Sequence, residues 1–141
     1  ELALKYSING IVVSNTTDSN RENLFDKQKN EKGGLSGQPL KNLSTNLIKK
    51  FYKETKGKIN IIGVGGVDSG ESAFEKITAG ADVVQLYTGM VYKGPGIVKD
   101  IKKELISILK KENFKNIRQA VGINAWPINL QQLYSVRKIY V

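Results

Sequence analysis

The chain has neither cysteine nor histidine among its 141 residues. Without thiols there is no disulfide framework, no thiolate metal site and no cysteine nucleophile. Without imidazole the commonest general base and metal ligand is missing, so any catalytic centre must use other groups. No apolar run approaches the roughly 20 residues that cross a bilayer, and the N-terminus lacks the pattern of a signal peptide. Acidic residues are few, 13 Asp and Glu against 22 Lys and Arg, for a net charge of +9. Such a surplus invites a nucleic-acid reading, but its placement argues otherwise. Lys99, Lys102, Lys103, Lys110 and Lys111 interleave with Val98, Ile101, Leu105, Ile108 and Leu109 as the solvated face of one amphipathic helix. Lys49, Lys50, Lys53, Lys56 and Lys58 crowd the end of another, where cations suit the negative end of the dipole. Aromatic platforms between these lysines are lacking, and nucleic acid is not an expected partner.

What is present alternates in type. Residues 10–14, Gly-Ile-Val-Val-Ser, are a β-branched run without helical period and predict a strand. A polar, charged stretch over 18–34 is too long for an ordinary connection and predicts an active-site flap or insertion. Leu40, Leu43, Leu47, Ile48 and Phe51 then recur with the spacing of a helix covering one side of a sheet, with Pro39 in its first turn. Ile59–Val64 reads as a parallel strand buried on both faces. A helix over 70–79 follows, with Asp68 and Glu71 at capping-box spacing, Phe74 and Ile77 inward and Gly80 as its stop. Asp82–Tyr87 is the next strand, Pro95 opens a helix to about Glu112, and 114–121 adds a short helix. Three strand–helix units in series predict an α/β fold with a parallel sheet. At 141 residues the chain is well short of the roughly 250 of a complete eight-stranded barrel.

Chemistry is expected where strands end. In Gly63-Val-Gly-Gly66 the glycines let backbone N–H groups approach an anion with no Cβ in the way, and the following helix N-terminus adds partial positive charge. Gln85-Leu-Tyr-Thr-Gly89 ends the next strand and offers a second set of donors to the same phosphate. Ser14-Asn15-Thr16-Thr17 sets an amide and three hydroxyls at a strand end, groups that suit a flat heterocycle bearing carbonyls and a carboxylate. Gly33-Gly-Leu-Ser-Gly37 reads either as a flexible loop end or as a nest of backbone amides near the ligand.

The ordered set Val13–Thr17, Gly33–Leu40, Leu43-Ser-Thr45, Ile61–Val67, Ser69-Gly70, Ala79-Gly-Ala81 and Val84–Thr88 resembles the C-terminal part of dihydroorotate dehydrogenase, most closely its quinone-linked, class 2 branch. The resemblance covers residues 1–122 and leaves 123–141 as a divergent tail. It implies the C-terminal part of a (β/α)8 TIM barrel, about three βα units, hence an incomplete barrel. It also implies FMN-dependent oxidation of (S)-dihydroorotate to orotate in pyrimidine (UMP) biosynthesis, a base taking the C5 proton while C6 gives hydride to flavin N5, and quinone as final acceptor. By motif, Ser14, Gly37, Gly65, Gly66, Tyr87 and Thr88 match the FMN site, and Asn15 and Thr16 match orotate contacts. Ser14 stands where the family usually has Thr.

No residue matches the family's catalytic serine, which is expected upstream of residue 1, as is the helical region that meets quinone and membrane. The chain is therefore expected to be a fragment that alone neither binds FMN tightly nor turns over. Parallel strands taken from a closed barrel would expose two edges and an apolar face. The whole enzyme is expected at the periphery of the bacterial cytoplasmic or mitochondrial inner membrane. Alternatives are a soluble-branch dihydroorotate dehydrogenase, another FMN barrel, or a non-catalytic phosphate-binding module.

Overall fold

The β-branched run and the two apolar runs after it form three parallel strands in the computed structural model, which describes residues 2–19 and 21–126. They are β1 (Gly10–Val13), β2 (Asn60–Val64) and β3 (Val83–Gln85), in the order β1-β2-β3. Rows Val12–Ile62–Val83 and Val13–Gly63–Val84 run across the sheet. β3 begins one residue later than expected because the Asp82 carboxylate accepts the Ile61 N–H at 2.8 Å, tying the start of β3 to β2 through a side chain. The helices are α1 (Leu2–Lys5), α2 (Lys41–Thr55), α3 (Gly70–Ala79), α4 (Thr88–Lys93) and α5 (Ile97–Lys111), with 3-10 turns at Gln38–Leu40 and Ile117–Ala120.

Because side chains alternate along a strand, Ile11, Val13, Ile61, Gly63 and Val84 share one face, and α2 and α3 cover it. Val13, Ile48, Ile61, Ala79 and Ala81 make one core cluster, and Val67, Ala73, Ile97 and Ile101 make a second toward α5. The opposite face is open. Val12 is 55% exposed and Val83 58%, so the expectation that β2 is buried on both faces is corrected among the described residues. The sheet is an unclosed arc of a barrel. Gly63 belongs to the covered face: a Cβ there would lie 2.9 Å from both the Ala81 Cβ and the Ile48 Cδ1. Its lack of a side chain is what lets α2 and α3 sit close over β2.

The helix stripes differ from the apolar spacing in an instructive way. Leu40 of the preceding turn and Ser44 and Ile48 of α2 are buried, whereas Leu43 and Phe51 remain exposed. A serine takes an inward position because its hydroxyl has a partner, the Val64 carbonyl. The capping box of α3 is Ser69 with Ser72, not Asp68 with Glu71: the Ser69 Oγ accepts the Ser72 N–H at 3.1 Å and the Ser72 Oγ accepts the Ser69 N–H at 3.0 Å. Gly80 ends α3 at φ 126°, as expected. Ile77 is buried, while Phe74 is half-buried and meets Phe114 with ring centroids 6.2 Å apart. Residues 122–125 return to α3, where the Asn124 N–H bonds to the Thr78 carbonyl at 2.9 Å and Ala125 is buried. The remainder of the divergent tail, 127–141, lies outside the described residues.

Lys76 is the anomaly of the core, fully buried with its amine held by three oxygens. Burial pulls its pKa down to about 8, with Glu75 raising it and Lys41 lowering it further. Between pH 8 and the unfolded value near 10.4, the unfolded chain carries a proton that the folded chain has shed, so this group adds stability as pH rises. Against Lys76→Met, which lacks the burial cost, urea unfolding should show the variant's advantage shrinking by about 3 kcal/mol from pH 7 to pH 10.5. Gly63→Ala should lose about 2 kcal/mol from overpacking at Ile48 and Ala81, measured in the same way at pH 7.

Candidate functional site

The C-terminal ends of the three strands open into one cleft of about 880 Å³. Ser14, Asn15, Thr16, Gly37, Gly65, Gly66, Tyr87 and Thr88, all the site residues expected from sequence, line it. Three loops bring them there. The run after β1 is zipped to the glycine-rich loop through Thr17 and Leu35, whose N–H groups reach each other's carbonyls at 3.1 and 2.6 Å. Gly34 lies so close beneath the Thr16 side chain that a Cβ there would overlap its hydroxyl. The glycine-rich loop continues to α4, where the Thr88 Oγ1 bonds to the Ser36 Oγ at 2.9 Å, and Gly37, at φ 77°, has the Thr88 methyl where its own Cβ would press.

The floor is the loop after β2. Gly65 and Gly66 have φ of 114° and 71°, backbone that favours glycine. A Cβ at Gly66 would stand 2.6 Å from the Lys41 Cβ. The Ser14 N–H and the Ser44 hydroxyl both reach the Val64 carbonyl, the former at 3.5 Å, so the ends of β1 and β2 and helix α2 meet at one oxygen. Gly63, by contrast, faces the core and takes no part in the cleft.

The N-terminus of α3 differs from its expected role. Four of the amides there already have protein partners, Ser72 through Ser69, Asp68 and Ser69 through Ser72, and Gly70 through the Glu104 carboxylate. Donors for an anion therefore lie in the 65–67 loop and at the start of α4. That helix opens at Thr88 with no side-chain cap, inside a stretch the sequence suggested was loop.

Sequence reasoning missed the rim. Gln38, Asp68 and Lys93 line the same cleft, with Gln38 Nε2 on the Gly66 carbonyl at 3.5 Å. Lys93 Nζ lies 2.9 Å from the Asp68 carbonyl and 3.6 Å from its carboxylate. Burial alone would raise the Asp68 carboxyl, but the Gln38 hydrogen bond, the Lys93 charge and the Ser72 hydroxyl outweigh it and hold it below the usual value. Gln38 lies within the Gly33–Leu40 motif without having been singled out, and Asp68 and Lys93 belong to none. The polar 18–34 segment, expected as a flap, closes on Arg21, whose guanidinium bonds to the carbonyls of Asp18 (3.2 Å), Lys29 (2.8 Å), Glu31 (3.0 Å) and Gly33. It brings Leu24 to the cleft wall.

The arrangement can hold a phosphate on backbone amides, and beside it a planar heterocycle on neutral side chains. Among the described residues no cluster of acidic side chains could take a metal. A family model for dihydroorotate dehydrogenase matches residues 1–109. The mitochondrial dihydroorotate dehydrogenase (quinone) of Arabidopsis thaliana is 48% identical over 122 residues, covering 86% of this chain and 26% of that protein. The mouse (Mus musculus) protein of the same name is 46% identical over 123 residues, 87% of this chain and 31% of that one. The crystal structure of the ligand-free dihydroorotate dehydrogenase of Eimeria tenella superposes with a TM-score of 0.86 at 40% identity, over 89% of this chain and 35% of that one. The chain thus spans about a third or less of the length of these relatives. With most of its length matched at these identities by proteins of one name, the chain belongs to the dihydroorotate dehydrogenase family, in its quinone-linked branch.

Proposed function

We propose that this chain supplies the FMN-phosphate loops and part of the orotate site of an enzyme that oxidises (S)-dihydroorotate to orotate with quinone as acceptor, in pyrimidine (UMP) biosynthesis. The observation that carries the reading is the convergence of Ser14, Asn15, Thr16, Gly37, Gly65, Gly66, Tyr87 and Thr88 on one cleft at the strand ends. Residues 1–122 are the barrel part in this reading and 123–141 a divergent tail, whose first residues still pack back on α3.

The cleft fits FMN on its own chemistry. A Cβ at Gly65 would press on Leu40 and Ser44 and one at Gly66 on Lys41, so only glycine lets the 65–66 backbone pass this close under α2 and line the cleft, and the one carboxylate on the rim, Asp68, is engaged by Lys93 and Ser72. Gly65, Gly66 and the Tyr87-Thr88 amides would hold the phosphate, with Ser14 and Gly37 against the ring system. FMN held there would supply the acceptor for the hydride leaving substrate C6 as the C5 proton goes to a base, with quinone as the final acceptor.

The chain's own residues bind and orient. Asn15 Oδ1 accepts the Thr16 N–H at 2.7 Å, which leaves the Nδ2 donors for a ligand carbonyl or carboxylate in the cleft that Asn15 lines. The Thr16 hydroxyl stands beside it over Gly34. The Arg21-gathered segment walls the cleft from solvent through Leu24. A base for the C5 proton is not among these groups: histidine is absent, and Asp68 is held ionised within its own network. Quinone and membrane contact belong to other parts of the enzyme, peripheral to a bacterial or mitochondrial inner membrane; no helix of the described residues is long and apolar enough to cross one.

Titrating the labelled chain with FMN should shift the Gly65, Gly66 and Thr88 amide resonances, while riboflavin, which lacks the phosphate, should leave them in place. Equal responses to both ligands would overturn the phosphate assignment. Gly66→Ala, strained at φ 71° and pressed on Lys41, should weaken FMN about tenfold or more. For the reaction itself, residues 1–122 grafted in place of the matching third of the mouse enzyme should support dihydroorotate oxidation, and Asn15→Ala in that chimera should cut kcat/KM by about 10²-fold or more. A chimera that folds and binds FMN but leaves dihydroorotate untouched rules out the substrate reading.

A further inference from the structure

Lys76 lies outside the cleft yet is joined to it. Its Nζ donates to the Lys41 carbonyl at 3.4 Å, to the Ser44 Oγ at 3.2 Å and to the Thr45 Oγ1 at 3.1 Å. Both hydroxyls spend their own protons elsewhere, Thr45 on the Lys41 carbonyl at 2.9 Å and Ser44 on the Val64 carbonyl. Only their lone pairs remain for the amine, so the direction of the chain is set: Lys76 to Ser44, and Ser44 to Val64. Val64 is the residue before the Gly65-Gly66 cradle, and Gly65 is seated against the Ser44 Cβ.

The charge on this chain is as informative as its direction. The charged groups near Lys76 are Lys41 on α2 and Glu75 on α3, and these pair with each other at 3.2 Å. β2 brings no ionisable side chain to it. The buried ammonium thus keeps a positive charge that no dedicated carboxylate cancels, two hydrogen bonds behind a loop shaped for an anion. A buried charge without an opposite partner is costly, and the arrival of a phosphate in the cradle would offset that cost.

We propose that Lys76 is the positioning residue of this anion loop and the fixed positive charge behind it, orienting Ser44 to hold Val64–Gly66 in shape for a phosphate monoester. This rests on the reading of the cradle as the phosphate site. Affinity for a phosphate is then highest while Lys76 is protonated. Its lowered pKa places the loss at about pH 8 and above, where a phosphate monoester is already fully ionised and contributes no titration of its own.

The test is a titration of the full chain with methyl phosphate, a monoester, and separately with FMN, followed by Cα resonances from pH 7 to pH 9.5. Lys76→Met retains the volume without the charge, and Ser44→Ala retains the charge without the link. Wild type should bind phosphate at Gly65 and Gly66, weakening with rising pH. Lys76→Met should bind about tenfold more weakly at pH 7 and show no pH dependence. Ser44→Ala should bind more weakly than wild type while keeping the pH dependence, and it decides the matter if Lys76→Met fails to fold. The inference is overturned if wild type shows no phosphate response at Gly65 and Gly66 or no pH dependence, or if a folded Lys76→Met behaves as wild type. A phosphate response without any FMN response at Ser14 and Gly37 would instead sink the flavin reading and leave this one standing.

Discussion

The cleft exists because β2 is held in parallel register between β1 and β3, so that Val13, Gly63 and Val84 lie in one row. Parallel strands release their chains at the same end of the sheet, and only there can loops from residues 14–17, 65–67 and 86–89 approach one another. A slip of one residue would send Gly65 and the residue after β1 to opposite faces. Two side-chain contacts guard the register from outside the ladder: the Asp82 carboxylate on the Ile61 N–H, and the Ser44 hydroxyl on the Val64 carbonyl, one at each end of β2.

Glycine does three different jobs in one motif. Gly63 removes bulk so that Ile48 and Ala81 can close over the strand, Gly65 takes a backbone angle of 114° against Leu40 and Ser44, and Gly66 clears the Lys41 backbone. Only the last two face the cleft. Core packing and site shape are therefore set by neighbouring residues of one strand end, and the buried Lys76 joins them, since it touches α2, lies over Gly63 and reaches the cradle through Ser44.

Much of this was legible beforehand. The strand at 10–13 follows from consecutive β-branched residues, and the end of α3 follows from Gly80, because both are local choices of backbone conformation. The cap of α3 was misjudged because Asp, Ser and Glu all satisfy the spacing, and which oxygen reaches which amide depends on the entry angle of the chain. The inward stripe of α2 was misjudged at Leu43 and Phe51 because the periodicity of apolar residues does not register a serine such as Ser44 whose hydroxyl is satisfied in the core. Helix α4 was hidden in six residues, too few for a period to show.

By itself the amino-acid sequence determined the alternation of strand and helix, the glycine-bearing strand ends and the family, because these reside in runs and motifs of neighbouring residues. Only the tertiary structure decided that Gly63 belongs to the core while Gly65 and Gly66 belong to the cleft, that Gln38, Asp68 and Lys93 form its rim, and that Arg21 gathers the 18–34 segment. It alone showed Lys76 to be a buried charge rather than one more surface lysine. Those contacts join residues as many as 35 positions apart. No local pattern encodes them, since they arise from which helix face meets which strand once the sheet has formed.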